Sequence, residues 1–198
     1  KHVESLFRLL YSRPLQSNGR AANREWTWLA WKRADSPARW GRGGDGHDVL
    51  INGFGSANDG SSAYGGIGTD TLILDYTNLN YGNNGIYNEA NRIRSLANTA
   101  VFLYFEGVER FNVIGTEYGD VFTVNQGDSF DGIGGTDRFN LNLQNITTPV
   151  NIDLTQSINV NVANTLVKNF EQIGTITTGS GDDTFTLSSA AYAFADGS

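Results

Sequence analysis

Apolar residues in this chain recur in short alternating runs. Val150-Asn151-Ile152-Asp153-Leu154 and Ile158-Asn159-Val160-Asn161-Val162 carry an apolar side chain at every second position, the period of a strand with one buried face. Asn on the outer face suits stacked strands, where side-chain amides form ladders. Around Leu50, Leu72, Phe122, Phe139 and Phe185 the alternation shrinks to three residues, a large apolar side chain between polar or smaller neighbours. These runs predict an all-β chain of short strands. Residues 88–98 are expected to form a short helix or a loop.

The residues ahead of those five apolar positions repeat. Gly43-Gly44-Asp45-Gly46-His47-Asp48-Val49-Leu50-Ile51 and Gly65-Gly66-Ile67-Gly68-Thr69-Asp70-Thr71-Leu72-Ile73 share one nine-residue pattern, and looser copies occupy 115–123, 132–140 and 178–186. In all five, Asp is sixth and a large apolar residue eighth. Glycines at the first, second and fourth places permit a tight turn with unobstructed carbonyls, and the last three residues suit a strand. A unit this short cannot bury its own apolar residue, so successive units must stack into a parallel solenoid to make a core. The intervening segments, 71–114 and 138–177, are too long for structureless loops. They are expected to add β-strands that extend the stack or fold over its open side.

Composition divides the chain near residue 42. Residues 1–42 hold nine of the 14 basic side chains, only three of the 21 acidic ones, and all four Trp. This segment reads as a linker or the remnant of a different upstream region, and 43–198 as the repeat domain, with clusters at 43–73, 115–140 and 178–186. Arg and Trp together also suit nucleic acid or a membrane surface, but no recognisable binding fold surrounds them, and no nucleic-acid partner is expected. No run approaches the roughly 18 apolar residues of a membrane span. With no Met and with Lys1 at its start, the chain is expected to belong to a longer product.

The acidic repeat domain raises an electrostatic problem. Stacking brings sixth-place Asp side chains of neighbouring turns together, and their repulsion opposes folding unless a cation sits between them. Carboxylates and freed carbonyls are the oxygen donors that Ca²⁺ takes at about six to eight positions. Mg²⁺ demands stricter octahedral geometry. Zn²⁺ would want His or Cys, and the chain has two His and no Cys.

These units resemble the repeats-in-toxin (RTX), or hemolysin-type, calcium-binding nonapeptide G-G-x-G-x-D-x-U-x, matched fully at 43–51 and 65–73. The resemblance implies a parallel β-roll in which two nonapeptides make a turn and Ca²⁺ lies between turns. It makes Asp48, Asp70, Asp120, Asp137 and Asp183 the carboxylate ligands. It further implies a secreted or cell-surface protein, exported unfolded by type I secretion machinery and folding on extracellular Ca²⁺. In the family, same-side turns are 18 residues apart. Here Asp48 and Asp70 are 22 apart, and Asp120 and Asp137 are 17 apart. One site per cluster is therefore expected, shared by Asp48 with Asp70 and by Asp120 with Asp137, while the opposite side depends on Asp59 and Asp128, which sit off pattern. Thr116, Tyr118 and Ile133 in glycine places weaken the second cluster.

The blander readings are limited in number. Gly-Asp turns without calcium would be Asx turns, a reading that five copies in register disfavour. His47 reads as a solvated variable position, and Glu109 and Glu171 as surface or turn residues recurring with the larger repeat. No H-E-x-x-H, G-x-S-x-G or phosphate-binding loop is present, so no catalytic activity is expected of this chain, although RTX repeats often follow an enzyme domain. Two alternatives remain: part of a carbohydrate-active β-helix enzyme, with Arg92, Arg94 and Tyr104 on a polysaccharide-binding face, and a calcium-stiffened adhesin spacer.

Overall fold

A computed structural model describes residues 27–30, 40–53, 61–79, 83–96, 101–155 and 158–187. Most of the basic opening, together with Asp59, lies outside these. The first strands are β1 (Thr27–Ala30), β2 (Trp40–Asp45), β3 (Val49–Gly53), β4 (Ser61–Ile67) and β5 (Thr71–Asp75). Then come β6 (Ile86–Glu89), β7 (Arg92–Ser95), β8 (Val101–Glu106), β9 (Arg110–Ile114), β10 (Val121–Asn125), β11 (Ser129–Asp131) and β12 (Arg138–Asn142). The last are β13 (Asn151–Leu154), β14 (Val160–Val162), β15 (Thr165–Lys168), β16 (Gln172–Thr177) and β17 (Thr184–Leu187). The described residues contain no helix, so none is long and apolar enough to cross a membrane.

The strands form three sheets, mostly parallel. One has the order β1-β3-β5-β9-β11-β15-β14, another β16-β12-β10-β6-β7-β8-β4-β2, and the third is the pair β13-β17. Among the described residues, only the β14–β15 pair and the two pairs made by β7 are antiparallel. From β2 to β5 the chain alternates between the two large sheets, and it does so again from β9 to β12. Each strand therefore lies beside the one two places on. β1 and β2, which precede or cross residue 42, pair with β3 and β4.

Register follows the repeat. Leu50 stands beside Leu72 and Leu72 beside Phe111; Phe122 stands beside Phe139, and Phe139 beside Ile173. One-residue slips would turn these side chains outward, so their burial fixes the pairing. Leu50, Leu72, Phe122 and Phe139 are all buried in one core fed by both large sheets. Phe122 packs on Phe130 at 4.7 Å between ring centroids, and Phe139 meets Phe170 edge-on at 5.4 Å. Phe185, the fifth eighth-place residue, is 43 % exposed; among the described strands β17 pairs only with β13, in the small sheet.

The segments between clusters are strands, with one difference from expectation. Val150, Ile152, Leu154, Ile158 and Val160 are buried and the intervening Asn residues exposed, as the alternation predicts. Of residues 88–98, expected to be helix or loop, 97 and 98 lie outside the described residues and 88–95 lie instead in a β-hairpin: β6 and β7 pair across Ala90-Asn91, and Arg94 Nε meets Glu89 Oε2 at 2.8 Å. Ile86, Ile93 and Ser95 are buried beneath it, a four-residue strand being too short for a clear period. A second hairpin joins β14 to β15 through Ala163 and Asn164, at φ 51° and 61°. Two successive positive φ values match the twist of a two-residue hairpin turn.

Candidate metal centre

Eight strands are entered directly from an acidic residue: Asp48 before β3, Asp70 before β5, Glu109 before β9, Asp120 before β10, Asp128 before β11, Asp137 before β12, Glu171 before β16 and Asp183 before β17. At that corner the backbone is leaving a turn, and its N–H needs an acceptor. The carboxylate on the neighbouring strand supplies it. Asp48 N donates to Asp70 Oδ1 at 2.8 Å, and Asp70 N to Glu109 Oε2 at 2.8 Å. In the second column Ile86 N donates to Asp120 Oδ1 at 2.7 Å, Asp120 N to Asp137 Oδ1 at 2.7 Å, and Asp137 N to Glu171 Oε2 at 2.8 Å. Val150 N donates to Asp183 Oδ1 at 2.9 Å.

Asp48 and Asp70 are thus on adjacent strands, as are Asp120 and Asp137. All four are buried, at 1 % exposure or less. Asp183 is only half-buried and faces the backbone of Val150, with no acid at the paired position. His47 is exposed, its ring nitrogen bonded to the Thr69 main chain. Glu109 and Glu171 are surface residues as residues go, yet each continues an Asp column by one strand. Sequence reasoning missed that continuation, although their matching distances from the closing Asp carried the signal. Asp128, singled out in the sequence as an off-pattern acid, is 1 % exposed, and its two oxygens accept from Phe111 N and Asn125 N at 2.9 and 2.8 Å.

The second oxygens separate these acids into two kinds. Thr116, in a place where the repeat pattern has glycine, donates its N–H to Asp120 Oδ2 and its hydroxyl to Asp120 Oδ1, at 2.7 and 2.9 Å. Asp70 Oδ2 and Asp137 Oδ2, by contrast, are buried without a hydrogen-bond partner. Beside each lies another acceptor: a Cβ placed on Gly65 would collide with the Gly107 carbonyl oxygen and crowd Asp70 Oδ2, and one on Gly132 would collide with the Asn169 carbonyl oxygen and Asp137 Oδ2. Two acceptors against one point, without a donor, form an unstable arrangement unless something positive joins them.

Burial sets the charge state. It pushes Asp120 and Asp128 up to about 6, against the pull of the N–H groups that each accepts. Asp137 rises to about 7, through burial first, against the pull of the bond from Asp120 N, with the negative charges of Asp120, Glu171 and Asp131 adding to the rise.

The donors suit a hard cation: buried carboxylate oxygens without partners and carbonyl oxygens beside them. Among the described residues no three His, Cys, Asp or Glu side chains gather as a ready-made metal cluster, so any ion here would draw on carbonyls as well as carboxylates. On the outer face of the second large sheet, Tyr64 and Tyr104 lie at 6.1 Å between centroids, Arg42 is 5.2 Å over the Tyr64 ring, and Arg92 pairs with Tyr104 in register. Comparison with protein-family models, curated proteins and solved structures finds no match to this chain.

Proposed function

We propose that the chain is a calcium-binding repeat module of the RTX type, wound as a parallel β-roll, within a secreted or cell-surface protein. Ca²⁺ would be held by carboxylates of the Asp48, Asp70, Asp120, Asp137 and Asp183 series together with turn carbonyls. Bound there, it would supply the positive charge that the buried oxygens lack. The carrying observation is the orphaned Oδ2 of Asp70 and of Asp137, each of which, with a carbonyl oxygen, crowds the place a Cβ would take on Gly65 or Gly132. The strand-by-strand stacking of Asp48 on Asp70 and Asp120 on Asp137 supports the same reading.

In this proposal binding energy becomes folding energy. Without Ca²⁺ the buried acids weaken the fold; at extracellular Ca²⁺ the fold is secured. That behaviour suits export of a loose chain by type I secretion machinery.

Far-UV circular dichroism and thermal melting, titrated from EGTA to about 10 mM Ca²⁺, test the reading. The expected result is a cooperative gain in β signal and melting temperature with Ca²⁺, with little response to Mg²⁺. A spectrum and melt indifferent to Ca²⁺ would leave the Gly-Asp turns as purely structural. A second reading, polysaccharide binding, draws on the Arg42, Tyr64, Tyr104 and Arg92 face. It predicts retention on an immobilised glycan that Tyr64→Ala and Tyr104→Ala abolish.

A further inference from the structure

The repeat spacing assigns the ion to the step between the two Asp residues of each cluster. The unsatisfied oxygens point to a different step. Asp70 and Asp137 are 0 % exposed, and Oδ1 of each is already taken by the N–H of Asp48 or Asp120. Their Oδ2 atoms are buried and without partners, and each lies at a glycine of its own repeat, Gly65 or Gly132, where an added Cβ would strike both that oxygen and the Gly107 or Asn169 carbonyl oxygen that precedes the next strand of the column. Two residues beyond those carbonyls stand Glu109 and Glu171, each with Oε2 at 2.8 Å from Asp70 N or Asp137 N. Both Glu residues are exposed, which leaves the locus open to an ion arriving from solvent. At the Asp120–Asp137 step, Asp120 has both oxygens engaged by Thr116 and Ile86.

We infer that Ca²⁺ binds at the Asp70–Glu109 and Asp137–Glu171 steps, with Glu109 and Glu171 as ligands that no nonapeptide contains. Each locus combines a buried Asp oxygen, a main-chain carbonyl and a surface Glu carboxylate. The same triplet arises twice, from segments of different length and sequence. The inference rests on the calcium reading above and moves its sites by one strand.

Isothermal titration of the full chain with Ca²⁺ separates the possibilities. Glu109→Gln and Glu171→Gln keep an oxygen for the Asp70 and Asp137 N–H groups but remove the charge, so melting in EGTA stays near the wild-type value. Each single variant is expected to weaken one set of sites at least tenfold, and the double variant to weaken both; Glu106→Gln, outside the columns, binds as wild type. A double variant that binds Ca²⁺ as the wild type does would overturn the inference while leaving the calcium reading intact. A wild-type chain that binds no Ca²⁺ would overturn both. If either Gln variant does not fold, carbonyl ¹³C shifts of the wild type decide the matter. Ca²⁺-dependent shifts at Gly107 and Asn169 support the site, and shifts confined to other carbonyls overturn it.

Discussion

The same side chain, Asp before a strand, does different work according to what reaches its second oxygen. At Asp120 and Asp128 backbone or hydroxyl donors occupy both oxygens. Changing Asp128 to Asn would turn an amide donor against an N–H donor, and should cost about 1–3 kcal/mol in denaturant unfolding. The pH response follows from burial. Asp120, Asp128 and Asp137 titrate at about 6, about 6 and about 7 in the folded chain, against 3.8 ordinarily. The native state therefore holds more protons than the unfolded state between these values. Its stabilisation is complete below about pH 4 and is lost as pH rises through 6 to 7. In EGTA, unfolding free energy should fall by on the order of a few kcal/mol from pH 5 to pH 8. A stability that rose over that window would contradict the buried-acid description.

At the scale of the element, the turns keep their shape even where their glycines are replaced. Ile133 occupies the second place of its repeat at φ 69°, where Gly44 and Gly66 stand at 116° and 114°. A left-handed conformation at a residue with a Cβ costs roughly 1–2 kcal/mol, partly offset by the greater unfolded-state entropy of glycine. Ile133→Gly should stabilise the chain by about 1 kcal/mol in urea unfolding, and a loss of similar size would show that the Ile side chain holds the turn. Glycine is needed most where turns touch: a side chain on Gly66 or Gly68 would strike the carbonyl oxygens of Gly44 or Gly46. The strands were legible wherever they alternate over five residues, as at 150–154 and 158–162. The β6–β7 hairpin was not, because its turn, Ala90-Asn91, carries no Gly and its strands present only four residues each.

Across the whole molecule, parallel pairing of strands two apart places the two repeats of each of the first two clusters side by side, which is why unequal spacings of 22 and 17 residues still bring Asp48 to Asp70 and Asp120 to Asp137. Sequence spacing therefore located the acids and their neighbours. It could not locate their hydrogen bonds. Whether an Asp oxygen is satisfied depends on a Thr in a glycine place four residues before it, as at Thr116, and whether an Asp N–H is satisfied depends on a Glu 39 or 34 residues away, contacts that only the folded chain creates. The central claim is that the buried oxygens of Asp70 and Asp137 await a positive partner. The most direct measurement is chemical unfolding of wild type and Asp70→Asn/Asp137→Asn, each in EGTA and in Ca²⁺. An Asn oxygen still accepts the Asp48 or Asp120 N–H, while its amide donates to the Gly107 or Asn169 carbonyl. The account predicts a double variant about 1–3 kcal/mol more stable than wild type in EGTA and unresponsive to Ca²⁺. A variant less stable than wild type in EGTA, or one that Ca²⁺ stabilises as much as wild type, would contradict it.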